Sequence, residues 1–150
     1  MLTKNLLAAG VAAAAGIAVA GCGAAAGHAD PPPASVRAIP GSPVKQVLLT
    51  ARAEQRLGIV TQPVRAAAGP SRGRGGREVI LYSAVVYDND GSTWTYVNTT
   101  GRTFVRQPIV INEIQGSEAV LDRGPAVGAP VVTVGAPELL GTEYDISGEE

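Results

Sequence analysis

Turn-forming residues recur at near-regular intervals through the second half of this chain, and they limit it to short strands that double back on one another. Asp88-Asn89-Asp90-Gly91-Ser92, Asn98-Thr99-Thr100-Gly101 and Gln115-Gly116-Ser117 each interrupt runs rich in β-branched and aromatic residues. Asp and Asn bond their own backbone, and Gly takes left-handed conformations without a steric penalty, so such clusters reverse a chain within a few residues. The runs between them are residues 79–87, 93–97, 103–111 and 118–121. Gly124, Pro125, Gly128 and Pro130 then enclose a tight loop before a last run, Val131-Val132-Thr133-Val134. Strands spaced in this way predict a mainly β fold, a small antiparallel roll or barrel.

One short α-helix is expected alongside the strands. Thr50 is placed to cap Ala51-Arg52-Ala53-Glu54-Gln55-Arg56-Leu57, a stretch without Gly, Pro or β-branching, and Gly58 is placed to end it. Val44, Val47, Leu48 and Leu49 precede this helix as an apolar run, and Ile59-Val60-Thr61-Gln62-Pro63-Val64 follows it as a strand. Pro63 has no N–H to give to a ladder, which confines that strand to an edge or a strand end. Residues 66–76 form a flexible connection that carries Ser71-Arg72-Gly73-Arg74-Gly75-Gly76. The folded domain is therefore expected at residues 44–144 with residues 145–150 as an acidic tail, and the acidic end formed by Glu138, Glu143, Asp145, Glu149 and Glu150 reads as solvated.

The N-terminus has a different organisation. Lys4 supplies a positive charge, and residues 6–19 are an unbroken run of Leu, Ala, Gly, Val and Ile. That run has the length of a signal-peptide core and is too short and too small-residue-rich for a membrane span. It ends in Val19-Ala20-Gly21-Cys22, which resembles the bacterial lipobox, where small residues let the peptidase reach a Cys that carries diacylglycerol. Residues 1–21 are expected to be a lipoprotein signal peptide, and Cys22 the lipidated anchor on the extracytoplasmic face of the cell membrane. Residues 22–43, with Pro31-Pro32-Pro33 and mostly Ala and Gly around it, read as a flexible tether.

Composition narrows the chemistry. The chain has one Cys, which excludes an intramolecular disulfide and a Cys-cluster zinc site, and one His, His28, which lies in the tether. Twelve basic and thirteen acidic side chains leave a net charge of −1, so no overall field points to nucleic acid. Neither a nucleophile–base pair nor a metal-ligand set can be assembled, and the expectation is a non-catalytic protein without cofactor or metal. Asp88-Asn89-Asp90-Gly91-Ser92 begins like a calcium loop, but residue 99, its twelfth position, is Thr rather than Glu. Gly73-Arg74-Gly75-Gly76-Arg77 lacks the Lys-Ser/Thr ending and the strand-to-helix context of a phosphate loop.

Ala53-Glu54-Gln55-Arg56-Leu57-Gly58-Ile59-Val60-Thr61-Gln62-Pro63-Val64 resembles the opening of the periplasmic adaptor subunits (membrane fusion proteins) of efflux pumps. Ser83-Ala84-Val85-Val86, Trp94-Thr95-Tyr96-Val97 and Phe104-Val105-Arg106-Gln107-Pro108-Ile109 are similar to the C-terminal end of the same family, in its order. So are Gly124, Gly128, Val131-Val132, Gly135-Ala136 and Glu138-Leu139-Leu140. In that family lipoyl-like, helical-hairpin and β-barrel domains lie between the two blocks, whereas here residues 66–77 join them directly. Tyr82 stands where the family usually has Pro, and Pro125 where it has Leu. The resemblance implies a membrane-proximal domain alone, an accessory to an export transporter with an inner-membrane permease as partner. An exposed aromatic patch around Tyr82, Trp94 and Tyr96 would favour that reading. A closed, polar-lined pocket would favour the alternative, a cell-surface module that binds a ligand or the cell wall.

Overall fold

In the computed structural model, which describes residues 31–68 and 77–147, every strand pairing is antiparallel. The signal-peptide segment, Cys22, His28 and the Arg/Gly run at 71–76 lie outside the described residues. In chain order the elements are β1 (Ala34–Ala38), β2 (Lys45–Leu49), α1 (Ala51–Leu57), β3 (Val60–Pro63), β4 (Arg65–Ala66) and β5 (Glu78–Leu81). A 3-10 turn (Tyr82–Ala84) leads to β6 (Val86–Tyr87), followed by β7 (Thr93–Thr100), β8 (Thr103–Pro108), β9 (Val110–Gln115), β10 (Glu118–Arg123), β11 (Pro130–Val134) and α2 (Ala136–Ser147). The fold is mainly β, as the turn spacing predicts, and its strands divide into two sheets. One has the order β1-β2-β8-β7-β11-β3 with β6 also paired to β7, and the other β4-β5-β10-β9.

The larger sheet is buried on both faces at its central strands β7 and β11. Successive residues of a strand point to opposite sides, and Tyr96 and Val97 on β7, like Val131 and Val132 on β11, belong to different clusters. Tyr96, Val132, Phe104 and Val47 pack with Ala53 of α1 and with Ala136 and Leu139 of α2. Val97 and Val131 pack with Ile80, Ala119 and Leu121 of the smaller sheet. Two-sided burial explains why Thr95, Tyr96 and Val97 are all buried in sequence, without the polar alternation of a half-exposed strand. Each fully buried side chain of Val to Phe size contributes about 1.5–3 kcal/mol over its exposed state.

The chain changes sheet at corners, and each corner carries a buried residue of the inter-sheet core: Val64, Ala84 and Ile109. Val64 N–H donates to the Ala129 carbonyl at 2.9 Å, and its own carbonyl accepts from Gly128 N–H at 2.9 Å. Ile109 N–H donates to the Thr93 carbonyl at 3.0 Å, while the Thr93 hydroxyl donates to the Ile109 carbonyl at 2.8 Å. Residues 79–87 and 103–111, each read as one strand, are therefore each two strands on different sheets. The 3-10 turn and the Pro108-Ile109 corner divide them because apolar residues are needed in both cores.

Two further corrections concern the ends of the domain. Within the stretch read as tether, Ala34–Ala38 pairs along its length with β2, from Ala34 opposite Leu49 to Ala38 opposite Lys45. Its few apolar residues suffice because Ala34 and Val36 pack against the helix-side core. At the other end, α2 runs through the boundary drawn at residue 144 and adds a second helix. Ala136, Leu139, Leu140 and Glu143 stand at i, i+3, i+4 and i+7, one helical face, and all but Leu140 are fully buried. Glu143 is thus a core residue, not part of a solvated acidic stretch.

The local expectations for α1 and β3 agree with the structure. Thr50 Oγ1 accepts from Ala53 N–H at 3.2 Å, and Gly58 closes the helix at φ 63°. Among the described residues, edge strand β3 pairs only with β11. Residues 59–64 do not pair with β5, but the next two do: Arg65 opposes Val79 and Ala66 opposes Glu78.

Candidate functional site

Four polar or aromatic side chains converge on Arg106 where α2 crosses the larger sheet. Arg106 lies opposite Tyr96 in the β7–β8 pairing, so both project toward α2. Its Nη1 donates to Asp88 Oδ2 at 2.6 Å, and its Nε lies 3.1 Å from Glu143 Oε1, a charge pair without hydrogen-bond alignment. The guanidinium stands 4.8 Å from the centre of the Trp94 ring and 5.6 Å from that of Tyr144. The Tyr144 hydroxyl donates to Asp88 Oδ1, and the buried Tyr96 hydroxyl donates to Glu143 Oε2 at 2.6 Å. Sheet, turn and helix are joined through one cation.

The turn positions Asp88. Its carboxylate accepts from Asn89 N–H at 2.7 Å, and Asp90 accepts from the Ser92 N–H and hydroxyl at 2.8 and 2.6 Å. Trp94 Nε1 donates to the same Ser92 hydroxyl at 2.7 Å, which holds the indole beneath Arg106. The segment is a hairpin turn with both carboxylates bound internally. Among the described residues no group of three His, Cys, Asp or Glu side chains could hold a metal ion.

These contacts shift the titrations. The Tyr144 hydroxyl, the Asn89 N–H and Arg106 together hold Asp88 below the usual carboxylate range. The hydrogen bonds from Ser92 lower Asp90 in the same way. Burial, reinforced by the Glu143 carboxylate, pushes the Tyr96 hydroxyl far above the ordinary phenol value. Burial acts against the charge on Arg106, but Asp88 and Glu143 outweigh it, and Arg106 is more firmly protonated than in water.

The three aromatic residues singled out from the sequence have separate fates. Tyr96 is buried, Trp94 is half-buried against Arg106, and Tyr82 is 39% exposed. Tyr82 meets a residue the sequence reading did not single out: its hydroxyl lies 3.1 Å from that of Tyr87, which is 51% exposed. The 3-10 turn packs against β11, where Val134 stands opposite Val60 of β3, and both valines are also exposed. Alternation could have found Tyr87, since Val86 beside it is buried and successive residues face opposite ways. The role of Glu143 could have been found from the i, i+3, i+4, i+7 pattern beginning at Ala136.

Compared with known proteins, the chain matches no family model, no curated protein and no solved structure. Among the described residues no helix is long and apolar enough to cross a membrane.

Proposed function

We propose that this chain is a non-catalytic lipoprotein, anchored on the extracytoplasmic face of the cell membrane through Cys22, that serves as an adaptor-like accessory to an export transporter. The observation that carries this reading is the exposed Tyr82–Tyr87 pair: Tyr96 and Phe104 are buried, and Trp94 and the equally exposed Tyr144 are engaged by Arg106 and Asp88. Tyrosine is enriched at protein interfaces because it presents a broad, rigid face and a polar tip. The charged side chains around Arg106, by contrast, are bonded to one another and fasten α2. The lipobox-like Val19-Ala20-Gly21-Cys22 and the resemblance to membrane-proximal adaptor domains supply the location and the kind of partner.

A photo-crosslinking amino acid placed at Tyr87 in cells tests this reading. The expected product is a crosslink to a membrane permease that disappears in Cys22→Ala, together with an acylated Cys22 as first residue by mass spectrometry. A free-thiol protein that begins at Met1, or a Tyr87 that captures nothing while an exposed control site at Arg123 behaves identically, would overturn it.

A further inference from the structure

A second feature lies apart from the tyrosine pair, where the chain enters the domain. Pro33 and Ala34 at the start of β1, Leu49 at the end of β2, and Ala53 and Leu57 of α1 wall a half-open cavity of about 180 Å³, with Arg56 at its rim. We propose that this groove binds a single alkyl chain with an anionic head, as in a medium-chain fatty acid, with the carboxylate on Arg56.

Size, lining and charge support the assignment separately. An apolar cavity of about 150 Å³ stays dry and takes up a benzene-sized molecule, so this groove has room for a chain of about six to eight carbons. Thr142 completes the wall from α2, and its hydroxyl is already donated to the Glu138 carbonyl at 2.8 Å, which leaves an apolar surface toward the groove. Ala53, Arg56 and Leu57 stand at i, i+3 and i+4, so the helix face that walls the groove also delivers the cation. Ala53, whose side chain is a single methyl group, forms part of the wall. Arg56 is exposed and has no ion pair or hydrogen bond among the described residues. A cation above an apolar slot selects an amphiphile with a negative head over a neutral or positive one. In sequence, Pro33 is eleven residues from Cys22, about 36–40 Å at full extension. An anchored chain would therefore keep the groove near a bilayer that supplies such molecules.

The test is equilibrium dialysis of the full chain against radiolabelled octanoate below its micelle concentration, with octylammonium as the probe of opposite charge. Saturable uptake of one octanoate per chain is expected, with octylammonium at least about fivefold weaker, the ratio of a modest ion pair. Arg56→Glu, a surface change, should reverse that preference, and Ala53→Leu, which fills the groove, should abolish uptake of both. Unsaturable uptake, equal binding of the two probes, or unchanged octanoate binding in Arg56→Glu would each overturn the proposal. So would a dimer of the wild-type chain in sedimentation that Arg56→Glu dissociates, because the groove would then be the seat of a second copy. None of these outcomes depends on crosslinking at Tyr87, so the two proposals stand or fall separately.

Discussion

The hydroxyl of Tyr96, in the middle strand of the larger sheet, donates a 2.6 Å hydrogen bond to the carboxylate of Glu143 on the last helix, across forty-seven positions of chain. Both residues are buried, and Arg106 stands between the Glu143 carboxylate and Asp88. A buried carboxylate is tolerated only when paired and hydrogen-bonded, so the helix and the sheet each supply what the other requires.

Stability should fall at both ends of the pH scale through this cluster. The folded-state pKa of Tyr96 is raised, so its contribution is complete below about pH 10, the unfolded phenol value, and is lost as pH rises toward the folded value. The folded-state pKa of Asp88 is depressed, so its contribution is present above about pH 4 and is lost as pH falls through the lower folded value. Tyr96→Phe should cost about 1.5–3 kcal/mol at neutral pH, the range for a hydrogen bond to a charged group, and should flatten the alkaline limb in urea titrations monitored by circular dichroism. An unchanged alkaline limb would show that Tyr96 does not titrate differently in the two states.

Two glycines six positions apart in sequence, Gly135 and Gly141, make a paired test around α2. Gly135 has φ 89°, and a Cβ there would lie 2.3 Å from Ile59 Cδ1. Gly135→Ala should cost at least about 1–2 kcal/mol from the left-handed backbone alone. Gly141, inside α2, has open space around the same added atom. Gly141→Ala should stabilise by about 0.5–1 kcal/mol. Thermal melts of the two variants should therefore move in opposite directions.

Thr95 is fully buried between the strands, and its hydroxyl has no hydrogen-bond partner among the described residues. An unsatisfied buried polar group costs about 1–3 kcal/mol, and Val has the same shape without it. Thr95→Val should raise the melting temperature by several degrees. A drop would show that the hydroxyl is bonded in solution.

The connection between β4 and β5 can be lengthened. Ala67 N–H donates to the Arg77 carbonyl at 2.8 Å, so the two ends are already held together. Ten Gly/Ser residues inserted after Gly75 should leave the melting temperature within a few degrees, since doubling a loop costs only about 0.6 kcal/mol. The same insertion between Trp94 and Tyr96 should unfold the protein, because Tyr96 carries both the core and the Glu143 bond.

Features that act within four or five residues were decided by the sequence alone. Thr50 and Gly58 bound a helix, and Gly91, Gly101 and Gly116 turn the chain at positive φ, because caps and turns depend on neighbouring backbone groups. One long-range feature also left a local trace: Gln62-Pro63-Val64 and Gln107-Pro108-Ile109 share a pattern, and both chain segments change sheet at the aliphatic residue. Proline ends the ladder, and the next side chain turns inward. Which sheet each strand joins, the addition of β1 as an edge, and the burial of Glu143 were decided only by the tertiary structure. Ala34–Ala38 is a strand because β2 and the helix-side core accept it. Glu143 is a core residue because Tyr96 and Arg106, distant in sequence, meet it there. Those energies come from desolvation and pairing between elements, and no window of neighbouring residues contains them.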